Sequence, residues 1–394
     1  MCATSAEYRR TVLYLSGFDP RGAAHYHALY RTEAQAQSAI NHLQLSVGAR
    51  VTESALIQSW QVEAVVAGQA VHTQYRFLRW DKIVRRYWPR GYSDLLANFL
   101  DSFRVYLGTG AFTQAWRHSW PPLVALMIPL LLLFSVLAAA LILGLLAAYW
   151  IAAVTSFIPG VLAGGLIATG IIYFGKRLEK VLNTAWVVRI FNFTAKFATS
   201  PSPDLEARMD IFAQYLVDTV KAHADEDELL IVGHSVGTIL AVSVLARAWR
   251  IDPDLGGRGV RISLLTLGQC IPMVSFLPQA SKFRDELAIL AAANGLDWVD
   301  FTSPADGASF AFVDPLASVG IVTSESNRDR PKMLSPRFHV LFTPTNYRRI
   351  RYNHLRLHFQ YLMATELSGN YDYFAITAGN LTLAERFAGT PDVT

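Results

Sequence analysis

Read for polarity alone, the chain alternates short β-rich runs with longer helical ones and is interrupted once by a long apolar block. Residues 10–18 (RTVLYLSGF) predict a strand that ends in the turn Gly17-Phe18-Asp19-Pro20-Arg21-Gly22. An Ala- and Gln-rich helical stretch follows, about 23–45. Residues 59–80 alternate apolar and polar positions around Ala67-Gly68-Gln69, as two strands of a hairpin do, the second running to about Arg79. KIVRRYW (82–88) begins a helical region leading to the apolar block. Beyond the block, Ser202-Pro203-Asp204-Leu205-Glu206 combines a capping serine, a first-turn proline and early acids, so a helix should start there. Strands are expected at 228–232, 260–268, 296–303 and 337–344, with helices from Thr238, over 279–295 and over 353–367. Residues from Ala378 onward show no strong pattern and predict a loosely held tail, 378–394. This alternation predicts an α/β fold, a doubly wound and mostly parallel sheet with helices on both faces.

The block changes the picture. From Ser119 to Gly175 there are 57 consecutive residues without Asp, Glu, Lys, Arg or His. A span needs about 20 apolar residues, and Pro159-Gly160 punctuates the run, so two spans are expected at about 123–148 and 157–175. The block accounts for a composition that is 52% hydrophobic and only 17% charged. It divides the chain into 1–118, the membrane hairpin 119–175, and 176–377 before the tail. Eight Lys/Arg against three Asp/Glu lie between Arg76 and His118, and Lys176, Arg177 and Lys180 follow the block. Two basic flanks around an uncharged connecting turn put both flanks on the cytoplasmic side of the inner or plasma membrane. Trp116, Trp120 and Tyr173 stand where one aromatic belt would lie, with Tyr149 and Trp150 at the other. Gly160 and Gly164, with Ala163, Gly165 and Gly170 nearby, supply small residues for close helix packing. The start of the chain, including Cys2, has no hydrophobic signal core, and two cysteines imply no disulfide framework. Cys270 reads as a small packed residue. The net charge of +4 is mild and gives no reason to expect nucleic acid as a partner; the apolar block makes the lipid bilayer the expected one. Oligomeric state is not specified.

Chemistry concentrates in Gly233-His234-Ser235-Val236-Gly237, between a predicted strand and a predicted helix. Glycines two residues either side of a serine permit a turn too tight for side chains, and the turn pushes the serine hydroxyl outward in front of a helix N-terminus. That is what a nucleophile needs. Alone the motif is also met in ordinary glycine-rich βα turns. Taken with the strand–turn–helix context and the order of the downstream Asp and His residues, the chain resembles the α/β-hydrolase superfamily of serine esterases and lipases. The resemblance covers nearly everything outside 119–200.

The resemblance implies a serine hydrolase with Ser235 as nucleophile, an acid after a downstream strand, and a histidine after the last strand. Asp306, in the loop SPADGAS, lies where a strand-end acid belongs; Asp300, within a strand, is its rival, and Asp297 is a third carboxylate nearby. His358 and His354 both follow the last predicted strand and share one helix face, while His339 falls inside that strand. Their spacing suits a zinc pair, but Leu-Arg-Leu separates them and no Glu intervenes, so no metal and no cofactor is expected. The family's oxyanion donors fall on the N–H groups of Val236 and Phe18. The usual His-Gly pair before that loop is absent, with Ser16 in its place. Arg21, His25 and His27, just beyond, are candidates for contact with an anionic head group. The resemblance implies a small-molecule or lipid ester as substrate and leaves three functions open: a membrane-anchored hydrolase of an ester or thioester of a lipid-like acyl chain, an acyltransferase using the same acyl-enzyme, and a silent scaffold acting as a tethered binding module.

Overall fold

Val12 and Leu230 are fully buried and stand side by side in one sheet, although the register pairs residues 218 positions apart in sequence. A computed structural model describes residues 7–88, 92–182, 184–323 and 330–393. Its strands are β1 (Tyr8–Leu15), β2 (Gln44–Val47), β3 (Val51–Thr52), β4 (Ile57–Val66), β5 (Gln69–Leu78), β6 (Glu228–His234), β7 (Arg261–Leu267), β8 (Leu296–Phe301) and β9 (Lys332–Leu334). They form a single mixed sheet in the order β2-β4-β5-β1-β6-β7-β8-β9, with β3 beside β4. From β5 to β9 every neighbouring pair is parallel; β2, β3 and β5 are antiparallel to β4. Ala67 and Gly68 take positive φ at the β4–β5 turn, the backbone a two-residue hairpin requires.

The helices before the apolar block are α1 (Ala23–Asn41), α2 (Asp81–Arg86), α3 (Tyr92–Gly108) and α4 (Ala111–His118). The block itself forms α5 (Pro121–Val154) and α6 (Phe157–Leu182), followed by α7 (Thr184–Thr199) and α8 (Pro203–Ala222). The second half adds α9 (Gly237–Ile251), α10 (Pro272–Ser275), α11 (Ser281–Ala292), α12 (Phe338–Leu341), α13 (Pro344–Arg351), α14 (His354–Phe359), α15 (Tyr373–Ala378) and α16 (Leu383–Phe387). Two apolar clusters flank the sheet. One gathers α8, α9, α11 and the base of α5; the other gathers α1, α14, α15 and α16. Ser202 caps α8 by accepting from the Leu205 N–H, as its sequence promised.

Helices α5 and α6 are long and apolar enough to cross a membrane, and only 11% of each span's most apolar stretch is buried. They cross where small residues meet. A side chain at Gly160 would lie 2.5 Å from the Ala148 carbonyl, and one at Gly164 would strike Gly144; Gly165 and Gly170 face open space. At its base α5 belongs to the sheet's own core, because Leu123 and Leu126 are buried in the α9 cluster. The long α7 has no counterpart among the elements the polarity pattern predicts. Its buried Val188, Phe191 and Ala195 keep helical spacing, a signal hidden by its closeness to the apolar block.

Four expectations are corrected. The first helix stops at Asn41, where His42 turns left-handed, and Gln44–Val47 pairs with β4 as a strand. Residues 337–344 are not a strand: Arg337 is left-handed, Phe338 and Leu341 are buried at i, i+3, and α12 forms. The edge strand is β9, just before it, and His339 is exposed on α12 rather than inside a strand. The helix at 353–367 is only α14, followed by a 3₁₀ turn at Gln360–Leu362. The tail over 378–393 is fixed. Buried Arg10 reaches from β1 to the Gly379 and Leu381 carbonyls while paired to Glu228 at 2.6 Å, and Glu228 accepts from the Leu383 N–H. Thr382 and Glu385 form a capping box on α16, and Leu383 and Phe387 are buried. Sequence patterning cannot see a segment held by a partner hundreds of residues away. Cys2 and Thr394 lie outside the described residues.

Candidate active site

The C-terminal ends of β1, β6, β7 and β8 lie side by side, which is where parallel sheets place ligands. At the end of β6 the chain turns sharply into α9. Ser235 takes φ 58, a left-handed conformation that is strained for a residue with a side chain. The neighbouring packing explains both the strain and its glycines. Any Cβ on Gly237 would run into the Leu15 and Ser16 carbonyl oxygens, so only glycine lets α9 begin against the end of β1. A Cβ on Gly17 would lie 3.0 Å from Ser235 Cβ, so the loop after β1 presses directly on the serine. The Ser235 N–H donates to the Leu267 carbonyl at 2.8 Å, and its own carbonyl accepts from the Thr238 hydroxyl at 2.6 Å. Ser235 is 4% exposed.

Asp306 and His358 meet across the ends of β8 and α14. His358 Nδ1 and Asp306 Oδ2 are 2.8 Å apart, and both residues are buried. Asp306 is also the turn former its sequence suggests: its other oxygen accepts from the Ala308 N–H. Burial alone would raise the Asp306 carboxyl, but the His358 imidazole beside it and the Ala308 N–H outweigh burial and lower it. The rivals lie elsewhere. Asp300 is buried within β8, accepts from the Thr266 hydroxyl at 2.5 Å, and is pushed up to about 8 by burial, so it is a neutral acid at pH 7. Asp297 is partly exposed beside Arg261, and His354 is exposed at the start of α14.

Gly268, at positive φ, brings the groups together: a Cβ there would lie 3.2 Å from Asp306 Oδ2 and 3.4 Å from His358 Cε1. Two residues on, Cys270 Sγ is 3.8 Å from Ser235 Oγ. Among the described residues no hydrogen bond joins Ser235 to His358; the hydroxyl sits on the cysteine side. Burial pushes the Cys270 thiol up to about 12, so it packs as an uncharged group, as its sequence setting suggested. Its place against Ser235 was not legible in the sequence. Neither was the part played by His234. Its Nε2 donates to the His358 carbonyl at 2.9 Å, and burial, with His358 beside it, pushes its imidazole down to about 3, so it stays neutral.

Among the described residues, the N–H groups of Phe18 and Val236 donate to no protein acceptor. The Phe18 loop is held from outside. Its carbonyl accepts from Trp186 Nε1 of α7 at 2.7 Å, and the Ser16 carbonyl accepts from Trp80 Nε1 at 3.0 Å. Arg21 clamps buried Asp19 with two nitrogens and lies over the Phe359 ring at 5.0 Å, which ties this loop to the histidine segment. His25 is half-buried against Tyr26, and His27 bonds the Gly48 carbonyl near Trp60, far from the serine turn in the fold. Among the described residues no three His, Cys, Asp or Glu side chains converge as a metal site would require.

The start of α5 and the helix that follows the hairpin both reach these loops. A Cβ on Gly307, beside Asp306, would lie 4.0 Å from Pro121 at the first turn of α5, and Trp186 stands in the first turn of α7, just after α6. Compared with protein-family models, curated proteins and solved structures, the chain matches none. The fold is an α/β mixed, mostly parallel sheet carrying two long apolar helices.

Proposed function

We propose that this chain is a membrane-anchored serine hydrolase of the α/β-hydrolase type, cleaving an ester or thioester of an apolar acyl chain. The observation that carries the reading is the buried Asp306–His358 bond at the same strand ends as a strained, glycine-flanked Ser235. In this mechanism the Ser235 hydroxyl turns from Cys270 toward His358, whose Nε2 takes its proton as Oγ attacks the acyl carbonyl. Asp306 at Nδ1 fixes the tautomer and balances the imidazolium. The carbonyl oxygen becomes an oxyanion facing the Val236 and Phe18 N–H groups, which already lack protein acceptors. His358 then returns the proton to the leaving alcohol or thiol. Water, deprotonated by His358, releases the acid and restores Ser235.

A lipid-like substrate is supported by the closeness of the start of α5, and of α7 directly after the hairpin, to the site loops, since a substrate partitioned into the bilayer meets the protein there. The cytoplasmic placement of the sheet rests on the basic flanks. A fluorophosphonate probe on the full chain in vesicles tests the reading. Labelling should fall on Ser235 and vanish in Ser235→Ala, together with turnover of a long-chain ester panel. A folded, membrane-bound chain that takes no label would instead be a silent scaffold.

A further inference from the structure

Helix α3 carries more apolar surface than the protein covers. Its Phe99 and Tyr106 are buried against α7, yet Leu96, Leu100 and Leu107 are 45%, 42% and 45% exposed. These three fall at i, i+4 and i+11, with Phe103 between them at i+7, so they form one stripe beside the buried face. Asp94, Asp101 and Arg104 lie on the remaining side by the same spacing. A helix outside the spans with an uncovered leucine stripe and a charged back has the pattern of one lying in a membrane surface.

The stripe leads into a cavity. A groove of about 560 Å³ runs between α3 and the hairpin, lined by Leu96 and Phe99, by Leu133 and Val136 of α5, by Ile172 of α6 and by Val188 of α7. Its volume falls within the ~300–1,000 Å³ typical of small-molecule sites. Pro129, inside α5, also borders it. Lys176 and Glu179 stand where α6 leaves the uncharged block, at the level expected for head groups. Leu133 and Leu137, in the groove lining, are also exposed on the hairpin, so hydrocarbon beside the hairpin meets the groove directly.

We propose that this groove binds one acyl tail of a bilayer phospholipid, with α3 lying along the membrane surface as its outer wall. Helix α7 links the groove to the candidate catalytic loops, since it places Val188 in the groove wall and Trp186 on the Phe18 carbonyl. The proposal stands on the membrane reading and not on the chemistry at Ser235. The test uses the full chain in phosphatidylcholine vesicles containing a phosphatidylcholine with a mid-chain diazirine, irradiated and mapped by peptide mass spectrometry. Leu96, Phe99 and Leu133 should label several-fold more than Leu141 and Leu145, which are exposed on the hairpin. Val136→Trp should fill the groove and remove most label from Leu96 and Phe99 while leaving Leu141 unchanged. If that variant does not accumulate, Leu96→Trp fills the groove from the α3 side and should remove label from Leu133. Equal labelling of groove and outer face, or labelling indifferent to the tryptophan, overturns the proposal. Labelling of neither surface overturns it together with the membrane reading, and Ser235 reactivity with fluorophosphonate is unaffected by any of these outcomes.

Discussion

His234 Nε2 donates a hydrogen bond to the backbone carbonyl of His358, 2.9 Å away, so the residue before the candidate nucleophile holds the segment that carries the candidate base. The bond joins β6 to α14 directly. Because burial keeps His234 neutral down to about pH 3, it acts as a fixed donor and not as a proton carrier. His234→Ala should lower kcat about 100-fold with little change in KM, the scale of loss that misplacement of a reacting group produces. His234→Asn, which keeps a donor, should restore much of it, and the acid limb of the pH–rate profile should not move in either variant. An unchanged kcat in His234→Ala would remove the positioning role.

The two aspartates near the site should behave oppositely. Asp306→Asn should lower kcat by about 10⁴-fold, since the amide would favour the wrong imidazole tautomer. Asp300→Asn should leave kcat near its starting value, because Asp300 bonds Thr266 and not His358. Kinetics on any turned-over ester would expose a reversal.

Asp300 carries a second consequence, in stability. Its carboxyl is raised to about 8 in the folded chain against 3.8 for an ordinary aspartate, so the folded state binds a proton that the unfolded state has lost between those values. That stabilisation is complete below about pH 4 and is lost as pH rises toward 8, by up to about 1.4 kcal/mol per unit. Thermal unfolding in detergent should show a downward slope over this window that Asp300→Asn flattens. A slope identical in both proteins would refute it.

The pattern of what could be read from the sequence follows from where each element finds its partners. The β4–β5 hairpin, the start of α8, the serine turn and the two long apolar helices are each fixed by their own residues: a Gly-containing turn, a capping Ser202, two glycines, an uncharged run. The mostly parallel α/β class followed from their order. Residues 338–341 carry a strand-like signal, because Phe338, Val340 and Phe342 alternate, while burial of Phe338 and Leu341 selects a helix turn. Among the candidates left open, only Asp306 and His358 are in contact, a choice made by α14 docking on the end of β8 and invisible to spacing. His234 and Cys270 escaped for the same reason, since what they touch lies elsewhere in the chain.

The fixed tail should depend on one buried ion pair. Arg10 and Glu228 have no exposed side-chain surface, and Glu228→Gln leaves the guanidinium buried without a countercharge. Such a break costs about 3–5 kcal/mol. The first sign should be proteolytic cutting within 378–393, at protease levels that leave the native chain intact. Protection equal to the native chain would mean that α16 packing alone holds the tail.

The base of α5 sets how much of the hairpin can be removed. Deleting 119–175 would take Leu123 and Leu126 out of the core, whereas deleting 130–174 behind a flexible linker would spare them. The longer deletion should aggregate. The shorter one should yield a folded chain that still takes fluorophosphonate at Ser235 but works poorly on long-chain substrates in bilayers. Full activity of the shorter deletion on vesicle lipid would make the hairpin an anchor only.

The pairing of β1 with β6 also imposes a timetable on synthesis. When the ribosome has made β1, β4 and β5, one edge of β1 has no neighbour, and its partner is still about 150 residues from being translated. The two apolar helices are made within that interval, before the sheet can close. Long-range parallel pairing is slow even in a finished chain, and an open central edge invites the wrong partner. On the proposed membrane reading the nascent chain would insert as a half-built sheet on a leash, with β6 and its serine turn made only after both apolar helices.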